Sequence, residues 1–145
     1  MSQVYPDEGL ILLLKLVVAN GGAGLTWALF ESNTEVTLAS ELADFTLSDV
    51  SWGQVVLDNT DFTLSQVLLN NGAIQAPTEV FLNGTGSSKS VYGYVVFDQV
   101  TNKLVAASRD ADAPTIVPDG STYEVVPQLG DYSDVSIPEI DGGTF

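Results

Sequence analysis

A mainly β domain of antiparallel strands with one N-terminal α-helix is the fold class this sequence predicts, and three observations predict it. The first is the stretch 90–109, S-V-Y-G-Y-V-V-F-D-Q-V-T-N-K-L-V-A-A-S-R, where Val, Tyr and Phe crowd together as they do on a pleated surface. The second is a series of short apolar runs punctuated by Asn, Gly, Asp and Pro turn signals. The third is a single apolar run, L-I-L-L-L-K-L-V-V at 10–18, with helix start and stop signals on either side.

The stretch 90–109 predicts the central hairpin. Val91, Tyr92, Tyr94, Val95, Val96 and Phe97 make one strand, Leu104, Val105 and Ala106 resume the run, and residues 98–103 turn between them. Strict alternation puts Val91, Gly93, Val95 and Phe97 on one face and Tyr92, Tyr94 and Val96 on the other. Both faces are apolar, so the strand belongs inside a sandwich or barrel, or against another subunit.

The remaining elements follow in order. Pro6, Asp7 and Glu8 suit the first turn of a helix, and Asn20-Gly21-Gly22 supplies its stop. About 12 residues of helix reach roughly 18 Å, too short for a bilayer core of about 30 Å. Acids lead the run and Lys15 interrupts it, which speaks against a secretory signal. Apolar residues nearly all round predict a helix packed on the sheet on one side and on a loop or neighbouring subunit on another; a buried strand is the alternative. Residues 25–31 read as a strand with a large aromatic on each face, and 39–44 as a helical turn. Residues 51–58 and 62–70 read as strands around a turn at 58–61, with a further turn at Asn70-Asn71-Gly72. A short strand at 78–82, a flexible loop at 83–88, an extended piece at 115–117, a turn at 118–121 and a last strand at 122–129 complete the domain. Residues 130–145 have acids, single spaced apolars and no periodicity, which predicts an extended acidic arm, either disordered or laid on a neighbour.

Composition removes whole classes of chemistry. At 145 residues one domain is expected. The chain has no Cys and no His, so disulfides, thiolate catalysis, Ser-His-Asp systems and the commonest transition-metal ligand are ruled out. Four Lys and Arg against 19 Asp and Glu give a formal charge of −15, which repels a phosphate backbone or an anionic membrane surface. Neither nucleic acid nor membrane is an expected partner.

Three motifs resemble functional signatures. In N-G-T-G-S-S-K-S at 83–90, Ser88 stands where a phosphate-binding loop needs Gly, and a strand follows in place of a helix. Asn83-Gly84-Thr85 matches a glycosylation triplet. Asp58, Asp61, Asp110, Asp112 and Asp119 lie in turns that could gather calcium, although turn aspartates more often bond their own backbone. No catalytic, cofactor-binding or metal residues are assigned, and an enzyme is not expected.

Y-P-D-E-G-L at 5–10, A-D-F-T at 43–46, Y-G-Y at 92–94 with Asp98, and L-V-A-A at 104–107 together resemble small virion proteins of tailed bacteriophages, over residues 5–126. The sequence departs from their pattern at Leu47 and at Trp52-Gly53, where an acid and then Gly-Tyr would be expected. The resemblance implies an antiparallel β-sandwich or jelly-roll-like domain over 1–129, with 130–145 as the arm. It implies a non-enzymatic structural protein on the capsid surface, made in the host cytoplasm, that decorates or cements the major capsid protein lattice. Self-association is expected, as a trimer at a local three-fold. The candidate interface residues are Tyr92, Tyr94, Val135, Ile137, Ile140 and Phe145. The alternative function is a tail-associated carbohydrate- or receptor-binding module with Trp27, Trp52, Tyr92, Tyr94 or Tyr132 as its platform. A third class, a filament subunit, predicts donor-strand pairing by the terminal arm.

Overall fold

The computed structural model describes residues 7–62, 64–68 and 71–130; of residues 7, 8, 10, 64–68, 71 and 72 it describes the backbone alone. The chain is mainly β, with antiparallel sheets and one short helix at its N-terminal end.

Helix α1 spans Asp7–Ala19, as the flanking signals predict. It stops because Asn20, Gly21 and Gly22 all take positive φ, at 49°, 64° and 102°, a region that a continuing helix cannot use. The Asn20 side chain then donates to the Gly24 carbonyl and to Asp98 Oδ1, both at 3.0 Å, and so ties the end of the helix to the distant hairpin turn. A Cβ on Gly24 (φ 71°) would lie 2.6 Å from the Leu57 carbonyl oxygen, so only glycine lets the chain enter the sheet here.

Strands β1 (Leu25–Phe30), β2 (Gln54–Leu57), β7 (Gly93–Asp98) and β8 (Lys103–Arg109) form a four-stranded sheet in the order β2-β1-β7-β8. All its pairings are antiparallel. Every residue of β1 is buried, because it lies between two strands and is covered on both faces. On one face Leu25, Trp27 and Val96 join Val18 of α1, Phe62, Ile74 and Leu129. On the other, Ala28, Phe30, Val95 and Phe97 pack with Phe45, Leu42 and Leu47. Trp27 and Phe30 are the large aromatics on the two faces that the strand pattern predicts.

Smaller sheets complete the layers. Strands β3 (Leu64–Leu68), β4 (Asn71–Gln75) and β11 (Gln128–Gly130) form a sheet in the order β11-β4-β3; β5 (Glu79–Leu82) pairs with β10 (Thr122–Val125), and β6 (Lys89–Val91) with β9 (Thr115–Val117). A third core group, Leu29, Trp52, Phe81, Val91, Val117 and Val125, binds these pairs to the end of β1.

Several expectations need correction. Of the predicted turn at Asn70-Asn71-Gly72, Asn71 and Gly72 belong instead to the strand Asn71–Gln75, where Asn71 pairs with Leu68 and Gly72 with Val67. The strands either side of the 58–61 turn do not pair with each other: β2 joins β1, and β3 joins β4. The predicted last strand at 122–129 is two, split at Val126-Pro127, where proline lacks the N–H a ladder needs; the second piece runs on through Gly130 in a different sheet. Alternation also fails at Gly93. Val91 packs with Leu29 and Tyr94, whereas Tyr92 packs with Phe30 and Val95, the reverse of the predicted faces. Gly93 sits at φ 154°, and a Cβ there would lie 2.1 Å from the Ser108 carbonyl oxygen, so the residue absorbs the switch.

Candidate functional site

Among the described residues, helix α1 carries four exposed large apolar side chains, more than any other helix or strand. A helix can bury only one stripe against a sheet, and here Ile11, Leu14 and Val18, spaced three and four apart, take that role. The run has no polar residue except Lys15 to place on the opposite side. Leu12, Leu13, Leu16 and Val17 are therefore left 62%, 45%, 64% and 46% exposed. Their i, i+1, i+4, i+5 spacing makes them one contiguous face. Among the described residues no helix is long and apolar enough to cross a membrane.

The predicted interface tyrosines do not come together. Tyr92 packs toward the Phe30 group, with the Arg109 guanidinium 5.3 Å from its ring centroid. Tyr94 lies on the other face, against the Trp27 and Leu29 groups. Trp27 and Trp52 are 1% and 6% exposed, so neither indole can serve as a surface platform. Tyr132, Val135, Ile137, Ile140 and Phe145, and the arm as a whole, lie outside the described residues.

Tyr94 instead lines a groove of about 260 Å³ with Ser108, Asp110, Tyr123, Glu124 and Gln128, where β7, β8 and β10 converge. The Tyr123 hydroxyl donates to Asp110 Oδ2. Burial first, then that carboxylate, raises the Tyr123 phenol far above its ordinary value. Burial likewise raises Tyr94, with Ser108 as its hydrogen-bond partner working the other way. Both phenols therefore remain neutral donors at ordinary pH. The groove offers hydroxyls, an amide and carboxylates without a cation, a set suited to an uncharged polyhydroxyl ligand and ill-suited to an anion.

The tempting motifs have structural roles. Asn83 is fully buried; its Nδ2 donates to the Ser87 and Val117 carbonyls, each at 2.8 Å, while Oδ1 accepts from Thr85 N–H and Oγ1. Both amide hydrogens are committed, so the triplet is a loop anchor. The predicted flexible loop at 83–88 is thus a hydrogen-bonded one. The Gly86 N–H, which a phosphate loop would offer to its ligand, donates to Asp119 Oδ1 at 2.8 Å. Asp58 and Asp61 brace their own turn: Asp58 Oδ1 accepts from Thr60 N–H at 2.9 Å, and Asp61 Oδ2 from Asp58 N–H at 2.8 Å. Among the described residues no three potential metal-ligating side chains cluster.

Sequence reasoning missed the Asp110–Tyr123 pair and the part of Asn83. Asn83 carried a local signal, since Asn followed two residues on by Thr suits a side-chain-closed turn. The Asp110–Tyr123 pair carried none, because its members belong to elements that only the fold brings together. Comparison of the chain with protein-family models, curated proteins and solved structures finds no match in any of the three.

Proposed function

We propose that this chain is a non-enzymatic structural protein of a virion, located on the capsid surface, where it decorates or cements the major capsid lattice. The observation that carries the attachment part is the outer face of α1: four neighbouring apolar side chains exposed on a chain of formal charge −15. A soluble monomer seldom keeps such a stripe unless it docks on something. The acidic remainder of the surface discourages indiscriminate sticking. The virion part rests on the resemblance at residues 5–10, 43–46, 92–94 and 104–107. Within this reading the domain is a β-sandwich, a proposal supported by Trp27, Ile74 and Leu129 meeting between the four-stranded sheet and the β11-β4-β3 sheet. Self-association as a trimer belongs to the same proposal, and light scattering that returned a monomer at micromolar concentration would remove it.

The test is to separate purified particles into capsids and tails and locate the chain by mass spectrometry. Capsid-bound chain is expected, with L12S/L16S losing occupancy while retaining its circular dichroism and melting temperature. Chain on tails alone, or on neither fraction, would overturn the proposal. The groove at Tyr94 and Tyr123 favours one second reading, a carbohydrate-binding module. Saturable binding of neutral oligosaccharides, lost in Y123F/D110N and kept in L12S/L16S, would select it.

A further inference from the structure

The outer side of α1 is a defined arc. At about 100° per residue, Leu12, Leu16, Gly9, Leu13 and Val17 follow one another around the helix within about 140°, and Lys15 falls outside that arc. The buried stripe of Ile11, Leu14 and Val18 lies opposite. A helix that meets one neighbour uses only a narrow stripe of apolar positions. Around a three-fold axis the directions to the two neighbours differ by about 60°, and the apolar arc must widen to match. Gly9 stands near the middle of the arc, where a Cβ would meet nothing within 4 Å among the described residues. No described part of the same copy keeps a side chain out of this place, whereas a closely approaching helix would.

Charge narrows the choice of partner. Nineteen acids are spread along the chain, yet none lies between Glu8 and Glu31, the longest acid-free stretch it has. A basic partner would be drawn to the acids. A partner as acidic as this chain is repelled by them and is best received where they are missing. A second copy, with its formal charge of −15, is such a partner. The exposed side chains of α1 offer roughly a few hundred Å², short of the ~800 Å² that each side gives to a stable two-body interface. One helix pair is therefore a small contact, and two contacts per copy, closed around an axis, hold where one would not. We infer that the outer face of α1 is the seam of self-association, three copies setting their α1 helices parallel around a three-fold axis. Leu13 and Leu16 turn toward the axis, and Leu12 and Val17 close the outer sides of each contact. This rests on the self-association part of the reading above and names a sister copy as the partner of the stripe. Attachment through this face is then attachment as a three-copy unit, each copy adding its own contact with the lattice.

The test uses the purified full-length chain, which has no natural cysteine. Light scattering at micromolar concentration is expected to give the mass of three chains. The trimer share should rise as salt goes from about 20 mM to about 0.5 M, because screening relieves the repulsion between acidic copies and leaves an apolar seam intact. A share that fell with salt would mean an ion-paired seam and would overturn the inference, as would a monomer at every salt concentration. L13C and L16C, each oxidised alone, are expected to give covalent dimers within the trimer, since parallel helices bring each position to its own copy. V100C, 76% exposed in the hairpin turn, is expected to give none. Dimers formed only when L13C and L16C are mixed would mean an antiparallel pair, equal linking of V100C would mean random collision, and no linking at 13 or 16 would mean that the helices do not meet; each overturns the seam. The virion location fails separately. Chain on tails or on neither fraction leaves the seam standing, whereas capsid-bound chain that is monomeric when purified removes the seam alone.

Discussion

On one face of the four-stranded sheet, Leu25, Trp27 and Val96 meet α1, β4 and β11; on the other, Ala28, Phe30, Val95 and Phe97 meet Phe45, Leu42 and Leu47. The first cover is made of regular elements that satisfy their own backbone hydrogen bonds. The second comes from residues 31–53, whose regular content is one 3₁₀ turn at Leu42–Asp44. Such a backbone has little ladder to rely on and must find other partners; a bridge between Leu47 and Phe30 and the bonds Glu31 N–H to the Thr46 carbonyl and Ser48 N–H to the Leu29 carbonyl supply some, and side chains add more. Thr46 N–H donates to Ser32 Oγ at 3.0 Å, Ser48 Oγ to Glu31 Oε2 at 2.6 Å, and Gln54 Nε2 to the Ser48 carbonyl at 2.8 Å. Arg109 reaches across from β8 to the Thr34 carbonyl at 3.0 Å and Asn33 Oδ1 at 2.7 Å. Apolar burial holds both covers down; polar side chains shape the second along much of its length and the first at the Asn20–Asp98 link.

The strongest way to break this comparison is to empty each face in turn. Trp27→Ala and Phe30→Ala each remove a fully buried ring and are expected to cost about 3–5 kcal/mol by denaturant titration. Hydrogen exchange should separate them. Trp27→Ala should loosen the amides of α1 and β4, whereas Phe30→Ala should loosen residues 31–48 first. Equal loosening of both covers by either variant would mean that the faces are not independent. Gly93→Ala acts on the hinge between the faces. It places a Cβ against the Ser108 carbonyl oxygen and the Arg109 Cα, at positive φ, so roughly 2–4 kcal/mol is expected from strain and forced separation of the strands. A loss below about 1 kcal/mol would show that the β7–β8 pair yields without penalty.

A smaller effect is expected from Arg109→Ala, which removes two hydrogen bonds and the contact over Tyr92. About 1–2 kcal/mol fits a half-exposed cation that donates to neutral acceptors. The loss should be concentrated in residues 31–48, because both side-chain hydrogen bonds of Arg109 go to the irregular cover. Faster exchange in α1 would contradict that assignment.

What could be read from sequence divides along the same line. The helix was legible because its start, apolar run and stop are consecutive, and the hairpin because residues 98–103 lie between two matching runs. Both faces of β1 and β7 were readable as apolar. The covers were not, since which segment lies on Phe30 depends on contacts among residues far apart in the chain. Pro127 separates two strands that read as one, and Gly93 reverses an alternation whose remainder holds. The candidate site fared similarly: Tyr92 and Tyr94 were placed on one face, whereas the fold divides them at Gly93, and the pairing of Asp110 with Tyr123 had no local signature. The apolar run of α1 was visible from the outset, and its all-round character already implied a surface beyond what the sheet could bury.

The smallest effect is expected where the helix-side cover meets the sheet. Asp98 Oδ1 accepts from Val100 N–H at 2.9 Å and Asn20 Nδ2 at 3.0 Å, and Oδ2 from Thr101 Oγ1 at 2.8 Å. These bonds, the Val100 amide first, hold its carboxyl below the usual carboxylate range. As pH falls, the unfolded chain takes up a proton at this residue before the folded chain does. The stabilisation is therefore present above the unfolded value of about 3.9 and is lost as pH drops through the lower folded value. In Asp98→Asn the amide oxygen can still accept hydrogen bonds, but the charge is gone. The stability gap between the natural chain and this variant should be steady near neutrality and should close below about pH 4. Asp49 and Asp58 are lowered in the same direction by hydrogen bonds from Ser51 and Thr60, so the natural chain's acid curve alone cannot assign the effect, whereas the difference between two curves can. A gap that stayed constant down to pH 2 would mean that Asp98 contributes through the geometry of its turn, and that the link from Asn20 holds the helix cover to the sheet without help from charge.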